Sequence, residues 1–255
     1  ACFDTNEDSL LMYSPGRCGS TSLQLAIRRA LRIPRLPYVP DVQHKYSKRI
    51  KAATEDVARS FVRQVQPHSA LWVIVLLRNP FERSQSIFFQ NLAQHMGASA
   101  LPNEQQAALM MRSNHTYSRL AARFTELAPQ LTKGVLETLP GVLGHPIEPL
   151  AFDVGVRHAW HVSRNVRLLV LRAEDSDMWA RIISQRLGIR ILMKDRHNQA
   201  SRKWWAHLYE RFRAQYVFSQ KVVADALATE DMRFIYSGDE RNSMARQALH
   251  LAPGV

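Results

Sequence analysis

The sequence is poor in cysteine and has no long apolar run. Its 255 residues include two cysteines, Cys2 and Cys18, which are too few for a disulfide framework. No apolar stretch approaches the length of a membrane-spanning helix, and no Cys/His spacing typical of a zinc site stands out. The chain is therefore expected to carry no membrane span and no metal. Its apolar content of 46% is sufficient for the core of a globular domain.

The first residues also lack the pattern of a signal peptide. Residues Ala1 to Asp8 are mainly polar and acidic, without a basic start followed by an apolar stretch. This pattern predicts a cytoplasmic protein. Because the chain does not begin with Met, a removed N-terminal anchor or signal stays open as the alternative.

Acidic side chains are scarce relative to basic ones. Lys and Arg total 34 against 22 Asp and Glu, which gives a formal net charge of +12 at pH 7. This balance favours polyanionic partners, such as a cofactor with phosphate and sulfate groups or an acidic acceptor. Nucleic acid is not expected as a partner, because no basic helix with interleaved aromatic residues stands out.

The loop after the first apolar run has the composition of an oxyanion-binding site. The run predicts a strand over Leu10–Ser14, and a helix is predicted over Gly19–Leu31. Backbone N–H groups at a helix N-terminus have no intrahelical partner, and the helix dipole favours a phosphate or sulfate there. Glycines let the backbone approach such a ligand, an arginine supplies a fixed cation, and hydroxyls donate hydrogen bonds. The candidate ligand-binding residues of this loop are Gly16, Arg17, Cys18, Gly19, Ser20, Thr21 and Ser22.

A second candidate anion-binding segment follows a buried strand. The continuous apolar run Leu71–Leu77 predicts this strand, and Pro80 suits the first turn of a following helix. Arg78 then lies at the carboxyl end of the strand, where open parallel sheets bind ligands, and Ser86 follows two helical turns later. We expect Arg78 and Ser86 to bind a second phosphate. Glu82 and Arg83 are expected on the exposed face of the helix.

The first loop lacks the lysine of a Walker A motif. That motif ends in Gly-Lys-Ser/Thr, whereas here Arg17 precedes the second glycine. The strand before Arg78 also ends without an Asp that could hold Mg²⁺. The sequence therefore disfavours an ATP or GTP hydrolase. A nucleotide kinase or other phosphoryl transferase, and a noncatalytic polyanion-binding module, remain the alternatives.

Together the two segments resemble the 5′-phosphosulfate loop and the 3′-phosphate motif of sulfotransferases that use 3′-phosphoadenosine 5′-phosphosulfate (PAPS). Residues 17–21 are similar to the pattern Lys/Arg-Ser-Gly-Thr/Ser-Thr, with Cys18 at a position usually held by Ser or Gly. Residues 78–80 with Ser86 match the second motif, spacing included. Further segments resemble a bacterial subfamily of capsular polysaccharide synthesis proteins, so that the resemblance covers most of the chain. These segments are Val170–Asp175, Phe88–Leu92, Asn198 with Lys203-Trp204-Trp205, and Phe234–Ser237.

The resemblance implies a fold, an activity and a cosubstrate. The fold would be a P-loop-type, three-layer α/β/α domain with a central parallel sheet of about five strands. The activity would be sulfuryl transfer from PAPS, without a metal, to a hydroxyl or amine. The subfamily points to a carbohydrate or cell-surface polysaccharide as the acceptor.

Candidate roles follow for particular residues. Arg17 would stabilise charge on the leaving phosphate, and Lys203 would contact the 3′-phosphate, as a late basic segment does in the family. His44 follows a predicted strand at Leu36–Val39, and an imidazole has a pKa near neutrality, so His44 is the candidate general base. Asp41 and Glu55 are the alternatives for the base. Glu174 is expected to be a structural hydrogen-bond partner.

Alternation of strands with helices predicts a single α/β domain over residues 1–255. A helical and loop insertion is expected at about residues 97–149. Besides those given above, strands are predicted at Val166–Leu171 and, more weakly, at Pro149–Phe152 and Arg233–Tyr236. Further helices are predicted over Ser47–Val65, Pro80–Gln94, Glu104–Leu127 with an interruption, Ser176–Leu187 and Ser201–Thr229. Within the last of these, the i, i+4 spacing of Trp204, Leu208, Phe212 and Tyr216 predicts a core-facing stripe.

Overall fold

The computed structural model describes residues 3–4, 7–14, 18–32, 38–40, 56, 58–66, 68–95, 114–144, 146, 152–193 and 203–251. The chain divides into two compact units. The first unit comprises Ala1–Arg78, Gly134–His197 and Glu230–Ser237. The second unit comprises Asn79–Lys133, Asn198–Thr229 and Gly238–Val255.

The first unit contains one mixed sheet. In chain order its strands are β1 (Ser9–Ser14), β2 (Tyr38–Pro40), β3 (Leu71–Leu77), β4 (Ala159–Ser163) and β5 (Val166–Arg172). Their order across the sheet is β2-β1-β3-β5-β4. Pairing is parallel between β2, β1, β3 and β5 and antiparallel between β4 and β5. The α/β class is therefore confirmed, and the expected parallel sheet carries one antiparallel strand, β4, at its edge.

Strand β4 was not predicted because it carries little of the apolar signal that marks the other strands. Its sequence is Ala-Trp-His-Val-Ser, and Val162 is 54% exposed. A two-residue connection, Arg164 and Asn165, joins it to β5 as a hairpin, and Arg164 has a positive φ of 53°. An edge strand with one partner can tolerate polar and exposed side chains, so sequence hydropathy alone does not reveal it.

The helices of the two units account for most of the remaining described residues. Residues 58–64 are helical, within the predicted helix Ser47–Val65. One-turn 3₁₀ helices span Leu136–Thr138 and Ala173–Asp175. The α-helices are α1 (Ser20–Leu31), α2 (Pro80–Gln90), α3 (Leu92–His95), α4 (Asn114–Leu131), α5 (Leu139–Leu143), α6 (Trp179–Leu187), α7 (Ala206–Gln215), α8 (Gln220–Leu227), α9 (Glu230–Ile235) and α10 (Gly238–Ala248). Among the residues that the structure describes, none of the helices is both long and apolar enough to cross a membrane.

The core of the first unit packs helices α1 and α6 against one face of the sheet. Alternate strand residues point to this face, as the two-residue period of a strand requires. The neighbouring residues Met12, Ile74 and Leu169 lie side by side in the sheet register and are all buried. The same cluster includes Leu23 and Ile27 of α1 and Ile182, Ile183 and Leu187 of α6.

The core of the second unit is aromatic. Phe88 and Phe89 of α2, Phe124 of α4 and Phe212 of α7 are each 0% exposed. The rings of Phe212 and Tyr216 stack with centroids 4.9 Å apart. Leu208, Phe212 and Tyr216 are buried and Trp204 packs against them, so the predicted core stripe is confirmed.

Some predicted elements differ from the structure. Arg233–Tyr236 was expected to be a strand, but α9 covers Glu230–Ile235, since Met232 and Ile235 are buried at helical i, i+3 spacing. The predicted helix Ser201–Thr229 is interrupted between α7 and α8. The Ser219 hydroxyl accepts a hydrogen bond from the backbone N–H of Val222 at 3.3 Å and so starts a new helix. A strand was also weakly predicted at Pro149–Phe152. Phe152 is not in a strand, and residues 149–151 lie outside the described residues.

A buried histidine gives the second unit a pH-dependent stability. His95 is 7% exposed and stacks on Phe88 with ring centroids 4.7 Å apart. Burial, with a smaller contribution from the charge of Arg123, lowers the pKa of His95 from 6.5 to about 4. The folded-state pKa of His95 lies below its unfolded-state value. The stability that this histidine contributes is therefore fully present above pH 6.5 and is lost as the pH falls toward 4. The free energy of unfolding should decrease by about 2 kcal/mol between pH 7 and pH 5 from this group.

Urea unfolding of His95→Phe across the same pH range checks this prediction. The substitution keeps an aromatic ring on Phe88 and removes the proton-binding group, so the pH dependence should flatten by that amount. His207→Phe, at an exposed position, is the matched control for replacing a histidine with phenylalanine. Equal slopes for wild type and His95→Phe would contradict the assignment.

Candidate functional site

The predicted anion-binding loop and Arg78 follow two neighbouring strands of the sheet. Strands β1 and β3 are parallel, and their register pairs Ser9 with Leu71 and Tyr13 with Val75. Their carboxyl ends therefore lie side by side at the same edge of the sheet. The described loop residues 18–22 follow β1, and half-buried Arg78 follows β3 directly. This is the edge at which open α/β sheets bind ligands.

Gly19 starts helix α1 in a left-handed conformation. It is the N-cap residue, with φ of 78° and ψ of 10°. The carbonyl of Gly19 accepts the N–H of Leu23 at 3.2 Å, so the helical hydrogen-bond pattern begins there. By helix geometry, the N–H groups of Ser20, Thr21 and Ser22 lie in the first turn of α1 and point toward its N-terminal end. Thr21 is exposed, Ser22 is half-buried and Ser20 is 7% exposed.

The side chain of Cys18 is part of the protein core. It is 1% exposed and belongs to the cluster that packs α1 and α6 on the sheet. Its thiol points into this cluster, so any contact that Cys18 makes with a ligand would be through its backbone. A small apolar side chain at this position is what the packing requires.

Glu174 follows strand β5, whose carboxyl end lies at the same edge of the sheet as those of β1 and β3. The hydroxyl of Tyr236 donates to the Glu174 carboxylate, with O···O distances of 3.3 and 3.4 Å. Burial raises the pKa of the Tyr236 phenol well above its usual value of 10.0; the charges of Glu174, Cys18 and Asp231 raise it further, and Arg172 opposes them. Tyr236 thus remains a neutral donor to Glu174, and the structural role of Glu174 stays a prediction.

A buried ion pair holds the turn that carries Glu174. The Nε of Arg172 donates to Asp175 at 2.6 Å, and both side chains are almost fully buried. Arg157 contacts the other carboxylate oxygen of Asp175 at 3.2 Å. The guanidinium of Arg172 also lies over the ring of Phe152, 4.5 Å from its centroid. Sequence reasoning noted the Glu174-Asp175 pair only through the family resemblance and missed Arg172, although Arg172 is a charged residue at the end of an apolar strand.

The sequence also did not predict that Asp231 caps the 3₁₀ helix that begins at Leu136. Asp231, 4% exposed, accepts the backbone N–H groups of Val135 and Leu136 at 2.8 Å. The hydroxyls of Tyr13 and Thr138 lie 2.6 Å apart and tie strand β1 to this turn. These partners are separated by about a hundred residues, so no local pattern could indicate them.

Two of the predicted cofactor-binding residues belong to the second unit. Ser86 is 4% exposed on helix α2, and Lys203 is half-buried before α7. Helix α2 begins as predicted, with Pro80 in its first turn and the Asn79 side chain accepting the N–H of Phe81 at 2.9 Å. The predicted exposure of Arg83 is wrong.

Arg83 is 0% exposed. Its Nη2 donates to the backbone carbonyls of Leu131, at 3.4 Å, and of Lys133, where helix α4 ends. Sequence pattern placed Arg83 beside Glu82 on an outer face. The carbonyls at the end of α4 instead provide acceptors for a buried guanidinium, and a cation is favourable at a helix C-terminus.

Several predicted site residues lie outside the described residues. They are Gly16 and Arg17 of the loop, His44, and the alternative bases Asp41 and Glu55. Their roles stay predictions. Among the described residues, no group of three or more His, Cys, Asp or Glu is arranged to hold a metal ion.

No family model matches the chain, and neither a curated protein nor a solved structure is similar enough to it to count as a match.

Proposed function

We propose that the chain is a sulfotransferase that moves a sulfuryl group from PAPS to a hydroxyl or amine of an acceptor, on a carbohydrate or cell-surface polysaccharide. The observation that carries the proposal is the adjacency of β1 and β3. Their parallel pairing brings the residues after both strands, the loop at 18–22 and Arg78, to one edge of the sheet. A ligand with two separated phosphate groups needs two such anion-binding segments.

The proposal includes a three-layer, P-loop-type arrangement around the sheet. Burial of both faces of the central strands supports it: Leu11 and Val73 on one face and Met12 and Ile74 on the other are at most 1% exposed. Strands that are buried on both faces have continuously apolar sequences, and β1 and β3 are of this kind.

In the proposed reaction the acceptor oxygen or nitrogen attacks the sulfur of PAPS. The bond between sulfur and the bridging oxygen breaks, and 3′-phosphoadenosine 5′-phosphate (PAP) leaves with the electron pair. Negative charge grows on the leaving phosphate, where the N–H groups at the start of α1 and the cation of Arg17 would stabilise it. His44 would take the proton of the acceptor, with Asp41 and Glu55 as the alternative bases.

Label transfer tests the proposal. The chain is incubated with PAPS carrying ³⁵S and a panel of polysaccharides, oligosaccharides and small hydroxyl compounds, in EDTA. The proposal predicts label in an acceptor, and loss of that label with Arg17→Ala. A parallel reaction uses ATP labelled at the γ-phosphate, with Mg²⁺. Transfer from ATP and none from PAPS would establish the phosphoryl transferase in place of the sulfotransferase.

A further inference from the structure

The indole of Trp179 lies directly under Gly19, at the start of helix α1. Trp179 is the first residue of α6 and is 1% exposed. Its Nε1–H donates to the backbone carbonyl of Arg172 at 2.9 Å. One edge of the indole is therefore fixed to the carboxyl end of strand β5, and the opposite edge faces the loop.

The indole leaves little room for a side chain at Gly19. A methyl group added at Gly19 would lie 3.0 and 3.1 Å from Cη2 and Cζ3 of Trp179. Carbon atoms in favourable contact are about 3.5–4.0 Å apart, so the ring occupies the space that a side chain would need. The ring is buried on all sides and anchored at Nε1, and it cannot yield as the end of a flexible side chain would.

We infer that Trp179 is a positioning residue for the oxyanion site. Its anchored ring sets the distance between the Gly19 backbone and the end of strand β5. The position of Gly19 in turn sets the direction of the N–H groups of Ser20, Thr21 and Ser22. The inference rests on the proposed function only in that these N–H groups bind a phosphate or sulfate.

Trp179→Phe tests this role against a matched control in the same core. The substitution keeps a buried ring and removes both the Nε1 donor and the indole edge nearest Gly19. Trp72→Phe is the control, because Trp72 is also 1% exposed, belongs to the same core cluster and donates from Nε1 at 2.9 Å, to Asp8. Trp72 lies near the amino end of β3, away from the loop.

Both substitutions should lower the thermal midpoint by similar amounts, because each removes one buried hydrogen bond and a comparable part of a ring. The affinities for PAP and for inorganic sulfate, measured by calorimetry well below that midpoint, should separate them. Trp179→Phe should weaken both ligands about tenfold, which is about 1.4 kcal/mol, and Trp72→Phe should leave both unchanged. Equal affinities for the two variants would overturn the positioning role.

A cycle with glycine substitutions tests the contact without any ligand. In Gly19→Ala the new side chain is destabilising for two reasons: the backbone there is left-handed, and the methyl group meets the indole of Trp179. In the Trp179→Phe background only the first reason remains. Gly144 is the matched control: its φ is 76°, and a methyl group there would have nothing within 4 Å. Gly19→Ala should shift the urea midpoint less in Trp179→Phe than in the wild type, and Gly144→Ala should shift it equally in both. Equal shifts for Gly19→Ala would also overturn the inference.

The outcomes separate this inference from the proposed function. If sulfate binds and PAP does not bind more tightly, the sulfotransferase proposal fails, and the sulfate affinities of the two tryptophan variants decide the role of Trp179. If neither ligand binds the wild-type chain, both fail.

Discussion

Replacing Arg78 with methionine should weaken PAP binding about 10- to 100-fold and leave the affinity for adenosine 5′-phosphate nearly unchanged. A hydrogen bond to a charged group contributes about 1.5–3 kcal/mol, and a guanidinium can bind two phosphate oxygens at once. Arg78 lies half-buried at the carboxyl end of β3, beside the strand that leads into the loop. Its contribution should therefore depend on the 3′-phosphate, which only PAP carries.

Calorimetric titration of both nucleotides against the variants measures this dependence. Ser86→Ala should show the same selectivity with a smaller loss, about fivefold, because a neutral hydrogen bond contributes about 1 kcal/mol. Arg167→Met is the matched control. Arg167 is also half-buried but lies in the first half of β5, with its guanidinium 4.9 Å from the centroid of the Trp72 ring. If Arg78→Met weakens PAP and adenosine 5′-phosphate by the same factor, Arg78 is not the 3′-phosphate ligand.

Replacing Arg83 with methionine should lower the free energy of unfolding by about 3 kcal/mol. The guanidinium is fully buried and donates to the carbonyls of Leu131 and Lys133 at the end of helix α4. Methionine retains much of the aliphatic packing but leaves these two carbonyls without their charged donor, and each such bond contributes about 1.5–3 kcal/mol. The effect should appear as a lower urea midpoint.

Arg213→Met provides the contrast from the same unit. Arg213 pairs with Glu82, the neighbour of Arg83, at 3.2 Å, but both side chains are more than one third exposed. Exposed ion pairs contribute about 0–1 kcal/mol, so this substitution should change stability by much less than Arg83→Met. Similar losses for the two variants would mean that Arg83 is not a buried structural cation.

The strands with strong apolar runs were predictable, because burial on both faces leaves a continuous signal. Leu71–Leu77 was predicted with the bounds that the structure has, and the strands at 9–14 and 166–172 were predicted to within one residue. The helix at Glu230–Ile235 was mistaken for a strand because its apolar residues are few and two aromatic residues lie close by. Its buried positions become recognisable only when Met232 and Ile235 are known to face a core.

For the candidate site, the sequence predicted the positions that depend on local order. The helix start at Gly19 and Ser20 and the place of Arg78 after β3 are local features, and the structure has both. The burial of Arg83 and the contact between Trp179 and Gly19 depend on segments far apart in the chain. A glycine at a helix start indicates backbone freedom, but it does not tell which distant ring fills the space of its missing side chain.

The measurement that tests the central claim most directly is thermal stabilisation of the wild-type chain by PAP in EDTA, beside ATP with Mg²⁺ and beside heparin. A ligand at a hundredfold excess over its dissociation constant stabilises the folded state by about 2.7 kcal/mol, which is readily seen as a raised melting temperature. The account predicts a clear rise with PAP that needs no metal and persists at 0.3 M salt. A rise with ATP and Mg²⁺ but none with PAP, or a rise with heparin alone that disappears in salt, would contradict it.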